Sequence, residues 1–381
     1  MSTEKFFLKP KLVGARFDDH TLPVNILEDF SALEELIFEL AKKIYIDENN
    51  HRKRVPNHFT DNIQLKLSSI EEGSTIPNFV IAVVTTLSSP TLPAQNDAYF
   101  HYFEKARDKV FEAVELANEG KSTGLDAKYL NFFNKIGRNL REGETIDLLN
   151  NSASSRNVRF DRSTRKRILL SRGEKLGYED ILNDIVLISA LDKKNKTFHV
   201  ELNGEVIKCE IDKNFKDVIY SANEGYDNKC YVAIKAIGVY NDKEELISID
   251  NIESMDILDP FDVSARLKEL SRLQNNWYNG DEGVALNTRQ LKEFENLFEN
   301  FYNIDLPLPA IFPTLSGNIL LEWKKDNLSV SIEVNLSTFS AEIFYFDMKN
   351  DDNDMEYSMN LEDEDSWLKI NNMINNIIHD H

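Results

Sequence analysis

The sequence predicts an α+β protein in several parts, with a small antiparallel barrel between two α+β domains. Two regions near the chain ends carry apolar residues spaced three and four apart, which is typical of amphipathic helices packed on a core. Between these regions, residues 180–260 carry short alternating runs separated by turn residues, the pattern of antiparallel strands. The length of 381 residues is also more than one compact domain usually needs.

Residues 1–150 are predicted to form the first α+β domain. Its predicted strands cover residues 5–13, 61–69 and 78–86, and its predicted helices cover 23–45, 97–118 and 127–141. The second and third strands flank Glu72-Gly73-Ser74, so we expect them to pair as a hairpin.

Residues 151–179 are predicted to be a basic connector, and residues 180–260 a small barrel of the SH3-like or OB-like size. Five strands are expected, at 185–192, 197–202, 206–211, 231–240 and 246–258. Asn203-Gly204 between two alternating runs is a strong hairpin signal. Five short strands at this spacing favour a barrel.

Residues 261–381 are predicted to form an acidic α+β domain. Helices are expected at 261–273, from the cap Asn287-Thr288 to about residue 302, and at 366–378. A three-stranded meander is expected at 319–324, 328–336 and 340–348, followed by an acidic loop at 351–365. In the meander, strand alternation directs Ile319, Leu321 and Trp323 to the core.

The formal charge of −21 is concentrated at the carboxyl end, where residues 261–381 hold 22 acidic against 9 basic side chains. A field of that sign repels phosphate backbones and favours cationic partners. General solubility is the alternative explanation of an acidic composition.

Several segment types are not evident in the sequence. The first residues lack a cationic stretch followed by an apolar core, and no apolar run is long enough for a membrane span. Cys209 and Cys230 offer neither a disulfide framework nor zinc-ligand spacing. We therefore expect a cytoplasmic protein with no membrane partner and no cofactor.

The segment from Trp277 to Gly283 is a candidate partner-binding loop. Its candidate contact residues are Trp277, Tyr278, Asp281 and Glu282. Aromatic side chains dominate interface energetics, which favours such a role. The alternative is a turn between helices, with Trp277 in the core and glycines supplying positive φ angles.

An acidic stripe on the meander is a candidate metal site. Glu322, Glu333 and Glu342 would form it if the register allows, and clustered carboxylates suit a hard cation such as Mg²⁺. Glu322-x-Lys324 also matches half of a metal-dependent nuclease motif, with Asp305 as the nearest partner acid. The alternative is a solvated sheet face.

The connector is the candidate nucleic-acid interface. Its candidate contacts are Arg156, Arg159, Arg162, Arg165, Lys166 and Arg167. Such side chains can neutralise phosphates, but Phe160 is the one interleaved aromatic residue. The interpretation we favour is that these cations pack against acidic surface in this chain or a second copy.

These patterns resemble a family of uncharacterised bacterial proteins with no assigned activity. The resemblance rests on Gly73-Ser74, on Gly238 in the fourth barrel strand, and on three carboxyl-terminal motifs. Those motifs are Trp277-x-x-Gly280-x-x-Gly283, Pro313-x-x-x-Gly317 and Glu322-Trp323. The resemblance implies a bacterial cytoplasmic protein, and it associates the chain with mobile-element or phage-defence loci.

No nucleophile elbow, phosphate-binding loop or dinucleotide fingerprint is present in the sequence. The function that we expect is therefore a non-catalytic binding or regulatory role, with a partner protein that presents a basic surface. A nucleic-acid-associated effector of the metal-dependent nuclease class is the first alternative. A small-ligand sensor, with its pocket between the barrel and the first domain, is the second.

Overall fold

The computed structural model describes residues 4–18, 21–56, 59–60, 63–71, 75–83, 99–149, 157–171, 177–347 and 355–379. The chain divides into two compact units. The first unit comprises Met1–Leu182 and Ala236–Ile252, and the second comprises Asn183–Lys235 and Glu253–His381.

The described residues form eight α-helices and sixteen strands, which confirms a mixed α+β fold. The helices are α1 Val24–Glu48, α2 Phe100–Asn118, α3 Ala127–Leu130, α4 Arg162–Leu170, α5 Lys216–Glu224, α6 Val263–Leu270, α7 Thr288–Phe301 and α8 Glu364–His379. The strands are β1 Glu4–Leu8, β2 Pro10–Val13, β3 Ile63–Glu71, β4 Ile76–Val83, β5 Thr145–Leu149, β6 Asn157–Phe160, β7 Tyr178–Asp192, β8 Thr197–Leu202, β9 Glu205–Glu210, β10 Val232–Tyr240, β11 Leu246–Ile257, β12 Ala310–Pro313, β13 Ile319–Lys325, β14 Leu328–Val334, β15 Ser340–Asp347 and β16 Met355–Asn360. No helix in these ranges is both long enough and apolar enough to cross a membrane.

The first unit packs two helices against two small sheets, of strand order β1-β4-β3 and β2-β5-β6. Apolar residues of α1 recur three and four apart and are buried, and Phe38 of α1 meets Phe103 of α2 edge to face at 5.1 Å between ring centroids. The predicted hairpin of β3 and β4 is confirmed by their antiparallel register. Its turn residues, Glu72, Gly73 and Ser74, lie outside the described residues.

The predicted barrel is wrong, because the five central strands form an open sheet of order β11-β10-β7-β8-β9. Among the described residues, none of the sheets closes on itself, and β9 and β11 stand at opposite edges of this one. After β9 the chain forms α5, which the sequence analysis did not predict. Closure depends on strand tilt and stagger, which strand number and spacing do not determine.

The carboxyl-terminal sheet is a meander of order β12-β13-β14-β15-β16. It contains the three predicted strands and two more, β12 and β16, at its edges. The prediction of three strands was therefore two strands too few. The predicted core face is confirmed: Ile319, Leu321 and Trp323 are buried against a cluster that includes Phe294 of α7 and Trp367 of α8. A sheet with one packed and one open face is common among antiparallel sheets.

A buried hydrogen bond joins Tyr302 and Trp323 in this core. The Tyr302 hydroxyl donates to the Pro307 carbonyl at 2.5 Å and accepts from Trp323 Nε1 at 3.1 Å. Burial raises the pKa of Tyr302 to about 12, although the Trp323 hydrogen bond acts in the opposite direction. The neutral phenol is therefore the form that the fold favours.

We expect the stability difference between the wild type and the Tyr302→Phe variant to show the effect of this raised pKa. At neutral pH the free energy of unfolding of the variant should be about 0.5–1.5 kcal/mol lower than that of the wild type, because the hydrogen bond of the Tyr302 hydroxyl is lost. The raised folded pKa stabilises the wild type fully below the unfolded value near 10, and this stabilisation is lost as the pH rises towards 12. Denaturant titrations should therefore show the gap between the two proteins shrinking above pH 10, and a gap independent of pH would contradict the assignment.

Candidate functional site

The open face of the carboxyl-terminal sheet is the candidate site. We call it the outer face and define it by side chains that alternate with the buried ones. These are Phe312, Leu320, Glu322, Lys324, Ser331, Glu333, Glu342, Phe344, Phe346 and Glu356. Each is exposed or half-buried, whereas the alternating residues on the other side form the core. Four carboxylates therefore share one surface with one lysine.

Two of the carboxylates lie directly opposite each other. Glu333 of β14 and Glu342 of β15 are partners in the antiparallel register. Like charges in directly opposite positions destabilise a sheet. No ion pair to either residue is found among the described residues, so the fold itself does not offset this repulsion.

Aromatic side chains lie beside these carboxylates. Phe344 and Phe346 stack at 6.4 Å between ring centroids, and Phe346 is 44% exposed. At the β12 edge, Phe312 is opposite Leu320 and is 42% exposed. An apolar surface that the fold leaves in water, next to unpaired charge, is typical of an interaction surface.

The register does not assemble the three glutamates into a metal site. Glu322 is opposite Ser331, and Glu333 lies two residues further along the same strand. Glu322 and Glu333 are therefore diagonal neighbours, which are roughly 7–8 Å apart between backbone positions. No group of three or more His, Cys, Asp or Glu side chains in the described ranges could hold a metal ion. Asp305, the suggested partner acid, is exposed in the loop before β12 and is hydrogen-bonded through its N–H to Asn303.

We expect the Glu333→Gln, Glu342→Gln double variant to be more stable than the wild type. Neutralising the pair removes the cross-strand repulsion and keeps two side chains of nearly the same shape, so the free energy of unfolding should rise by about 0.2–1 kcal/mol. Thermal unfolding at low ionic strength measures the gain, which should shrink in high salt. A variant less stable than the wild type would show that the two carboxylates contribute to the fold.

The Trp277 turn is ordered and partly exposed. Tyr278 N–H donates to the Glu282 carbonyl at 2.9 Å, and Asn279 and Gly280 between them both have positive φ. The Trp277 ring packs on Gly283, where an added Cβ would lie 2.6 Å from Nε1. Trp277 is half-buried and not a core residue, while Tyr278 is 46% exposed.

This turn is attached to the sheet next to the outer face. Val284 N–H donates to the Leu315 carbonyl at 3.0 Å, in the turn between β12 and β13. Both Val284 and Leu315 are about half exposed, at 52% and 47%. Asp281 and Glu282 are exposed as well. The turn thus presents aromatic, aliphatic and acidic groups beside the β12 edge.

The basic connector folds into β6 and α4, and most of its described cations have partners within the first unit. Arg162 pairs with Asp180 at 2.5 Å, Lys166 pairs with Glu244, and Arg167 donates to Asn118 Oδ1 at 3.0 Å. These ion pairs agree with the internal neutralisation that the sequence interpretation favoured. Arg159 is exposed, and Arg156 lies outside the described residues.

Arg165 is a core residue. It is 1% exposed, and its guanidinium donates to the carbonyls of Phe133, Asn134 and Glu179. Burial lowers its pKa to about 10, opposed by the nearby Asp180 carboxylate, so the group stays charged at neutral pH. A side chain with these partners is not available to a nucleic acid.

No family model, curated protein or solved structure matches the chain. The resemblance built on the Trp277, Pro313 and Glu322 motifs therefore stays an expectation.

Proposed function

We propose that this protein is a binding protein whose outer face and Trp277 turn engage a basic surface of a partner protein. The observation that carries the proposal is the Glu333–Glu342 pair, two opposed carboxylates that the fold leaves without counter-ions in the described residues. A lysine or arginine from a partner would remove the repulsion and gain charge-assisted hydrogen bonds.

The neighbouring aromatic residues support an arginine-rich partner in particular. The Phe344–Phe346 stack lies on the same face as the acidic pair, within reach of a side chain that contacts both. A guanidinium can stack on an aromatic ring while donating to a carboxylate, which an ammonium does less well. The occupant that we commit to is therefore a protein segment with arginine side chains.

Two further observations agree with this choice. The carboxyl-terminal third carries a formal charge of −13, which steers cationic partners and slows the approach of polyanions. In the connector, the internal ion pairs of Arg162 and Lys166 leave fewer cations for a phosphate backbone. Binding to a protein is thus better supported than binding to nucleic acid.

A fluorescein-labelled oligo-arginine peptide tests the proposal by fluorescence anisotropy. The wild type should bind it saturably at low salt, and the Glu333→Gln, Glu342→Gln variant should bind about tenfold or more weakly, because two charge-assisted contacts are lost. Phe346→Ala should weaken binding about two- to fivefold without changing the net charge.

A matched control removes two carboxylates elsewhere in the second unit. Glu205 and Glu210 are exposed on the edge strand β9, and the Glu205→Gln, Glu210→Gln variant has the same net charge as the test variant. It should bind the peptide almost as the wild type does. Equal weakening in both double variants would mean that only overall charge attracts the peptide, and the proposed site would be wrong.

A further inference from the structure

A cavity of about 480 Å³ opens on the first unit, well away in sequence from the outer face. Its lining comes from residues 141–145 at the start of β5, from β6 and α4, and from Tyr178, Asp180 and Glu244. The lining includes one aromatic ring and five cations, Tyr178, Arg141, Arg159, Arg162, Arg165 and Lys166. Five carboxylates line the cavity beside its five cations, so an anion could bind only where a cation is left without an acidic partner.

Hydrogen bonds hold the α4 side of the cavity wall in place. Asp161 caps α4 by accepting from Thr164 N–H at 2.8 Å, and Arg165 on the same helix is fixed by its three carbonyl partners. Burial opposes ionisation of Asp161, but its hydrogen bonds with Thr164 and Ser163 lower the pKa of this carboxyl overall. A preorganised wall reduces the entropy lost when a ligand binds.

The carboxylates that line the cavity are mostly occupied. Glu144 accepts two hydrogen bonds from the Arg16 guanidinium, at 2.7 and 2.8 Å. Asp180 pairs with Arg162, and Glu244 pairs with Lys166. Glu142 is exposed at the rim.

Two guanidinium groups remain available. Arg141 and Arg159 are exposed, line the cavity, and make no ion pair within the described part of the chain. The charge of Arg159 also helps to lower the pKa of the Asp161 carboxyl, which lines the same cavity. Each guanidinium can donate two parallel hydrogen bonds to one oxyanion.

We propose that this cavity binds a small phosphate-bearing molecule, held by Arg141 and Arg159. The volume lies in the range of small-molecule sites. A phosphate offers several acceptor oxygens, so it can accept hydrogen bonds from both guanidinium groups, and arginine is the residue best matched to it. A nucleic-acid strand fits less well, because Tyr178 is buried and no exposed ring in the lining can stack with bases.

Isothermal titration calorimetry with pyrophosphate, and separately with AMP, tests the proposal on the full chain. The wild type should bind at least one of the two at a single site. The Arg141→Gln, Arg159→Gln variant should bind about tenfold or more weakly, since charged hydrogen bonds are lost. Affinity should also fall as salt is added.

The matched control is the Arg52→Gln, Arg54→Gln variant. Both residues are exposed in the same unit outside the cavity, and the net charge changes equally. This variant should bind like the wild type. Absence of saturable binding to both probes, or equal weakening in both double variants, would overturn the proposal. Tighter binding of a single-stranded oligonucleotide than of either probe would overturn it as well, in favour of a nucleic-acid contact.

Discussion

Replacing Arg165 with methionine is expected to lower the free energy of unfolding by about 3–5 kcal/mol, the largest effect that we foresee. Methionine has a similar length but no donor, so the buried Phe133 carbonyl and the partly buried carbonyls of Asn134 and Glu179 would lose this partner. Phe133 and Asn134 are consecutive residues and Glu179 lies on β7, so the guanidinium ties two separate segments together. Urea unfolding followed by circular dichroism measures the loss.

Arg162→Met is the control for this variant. Arg162 lies on the same helix and pairs with Asp180, but nearly half of its side chain is exposed, so its loss should cost about 1 kcal/mol or less. Arg165→Lys should recover little, because an ammonium cannot reach three carbonyls in a fork geometry. Similar losses for the Arg162 and Arg165 variants to methionine would contradict the structural role given to Arg165.

Replacing Gly137 with alanine is expected to be the second most damaging change, lowering the free energy of unfolding by about 2–5 kcal/mol. Gly137 has φ of +76°, where a Cβ is strained, and the added carbon would lie 2.4 Å from Cε1 of Phe160. Phe160 is 2% exposed and cannot move into solvent. Differential scanning calorimetry should show a clearly lower melting temperature.

The Gly120→Ala variant separates the cost of backbone strain from the cost of the clash with Phe160. Gly120 has a similar φ of +70°, but no atom lies within 4 Å of an added Cβ. It should lose only the backbone contribution, about 1 kcal/mol. If both alanine variants lost the same stability, the contact with Phe160 would contribute nothing.

Periodicity was sufficient for the long and regular elements. β8 begins and ends where its alternation predicts, and α7 starts after Asn287, whose side chain accepts from the N–H groups of Arg289 and Gln290. The inner face of the meander also follows directly from alternation, because a strand has one side-chain period. Local rules were enough in these places because each element carries its own complete signal.

The missed elements had weaker or contradictory signals. β12 ends at Pro313 and follows two other prolines, a residue type that usually argues against a strand, yet an edge strand tolerates proline. β16 lies in a segment dominated by acidic residues, although Met355, Tyr357 and Met359 alternate in it. α5 is short, with Ile219 and Ala222 as its buried residues. Edge strands and single-sided helices depend on tertiary partners for their stability.

The candidate sites depended on tertiary register in the same way. Glu333 and Glu342 were singled out from the sequence, but their direct opposition was only one of several registers that alternation allowed. Nothing local distinguishes the buried Arg165 from the exposed Arg159 six residues earlier. Only the carbonyls that distant segments bring to α4 make that difference.

The most direct test of the account is the melting temperature of the wild type and of the Glu333→Gln, Glu342→Gln variant, each with and without the oligo-arginine peptide. We expect the free variant to melt above the free wild type, because the cross-strand repulsion is gone. The peptide should raise the melting temperature of the wild type and leave that of the variant almost unchanged, because a ligand stabilises only the state that binds it. A free variant that melts below the wild type, or an equal shift with peptide in both proteins, would contradict the claim that this acidic pair is kept for a basic partner.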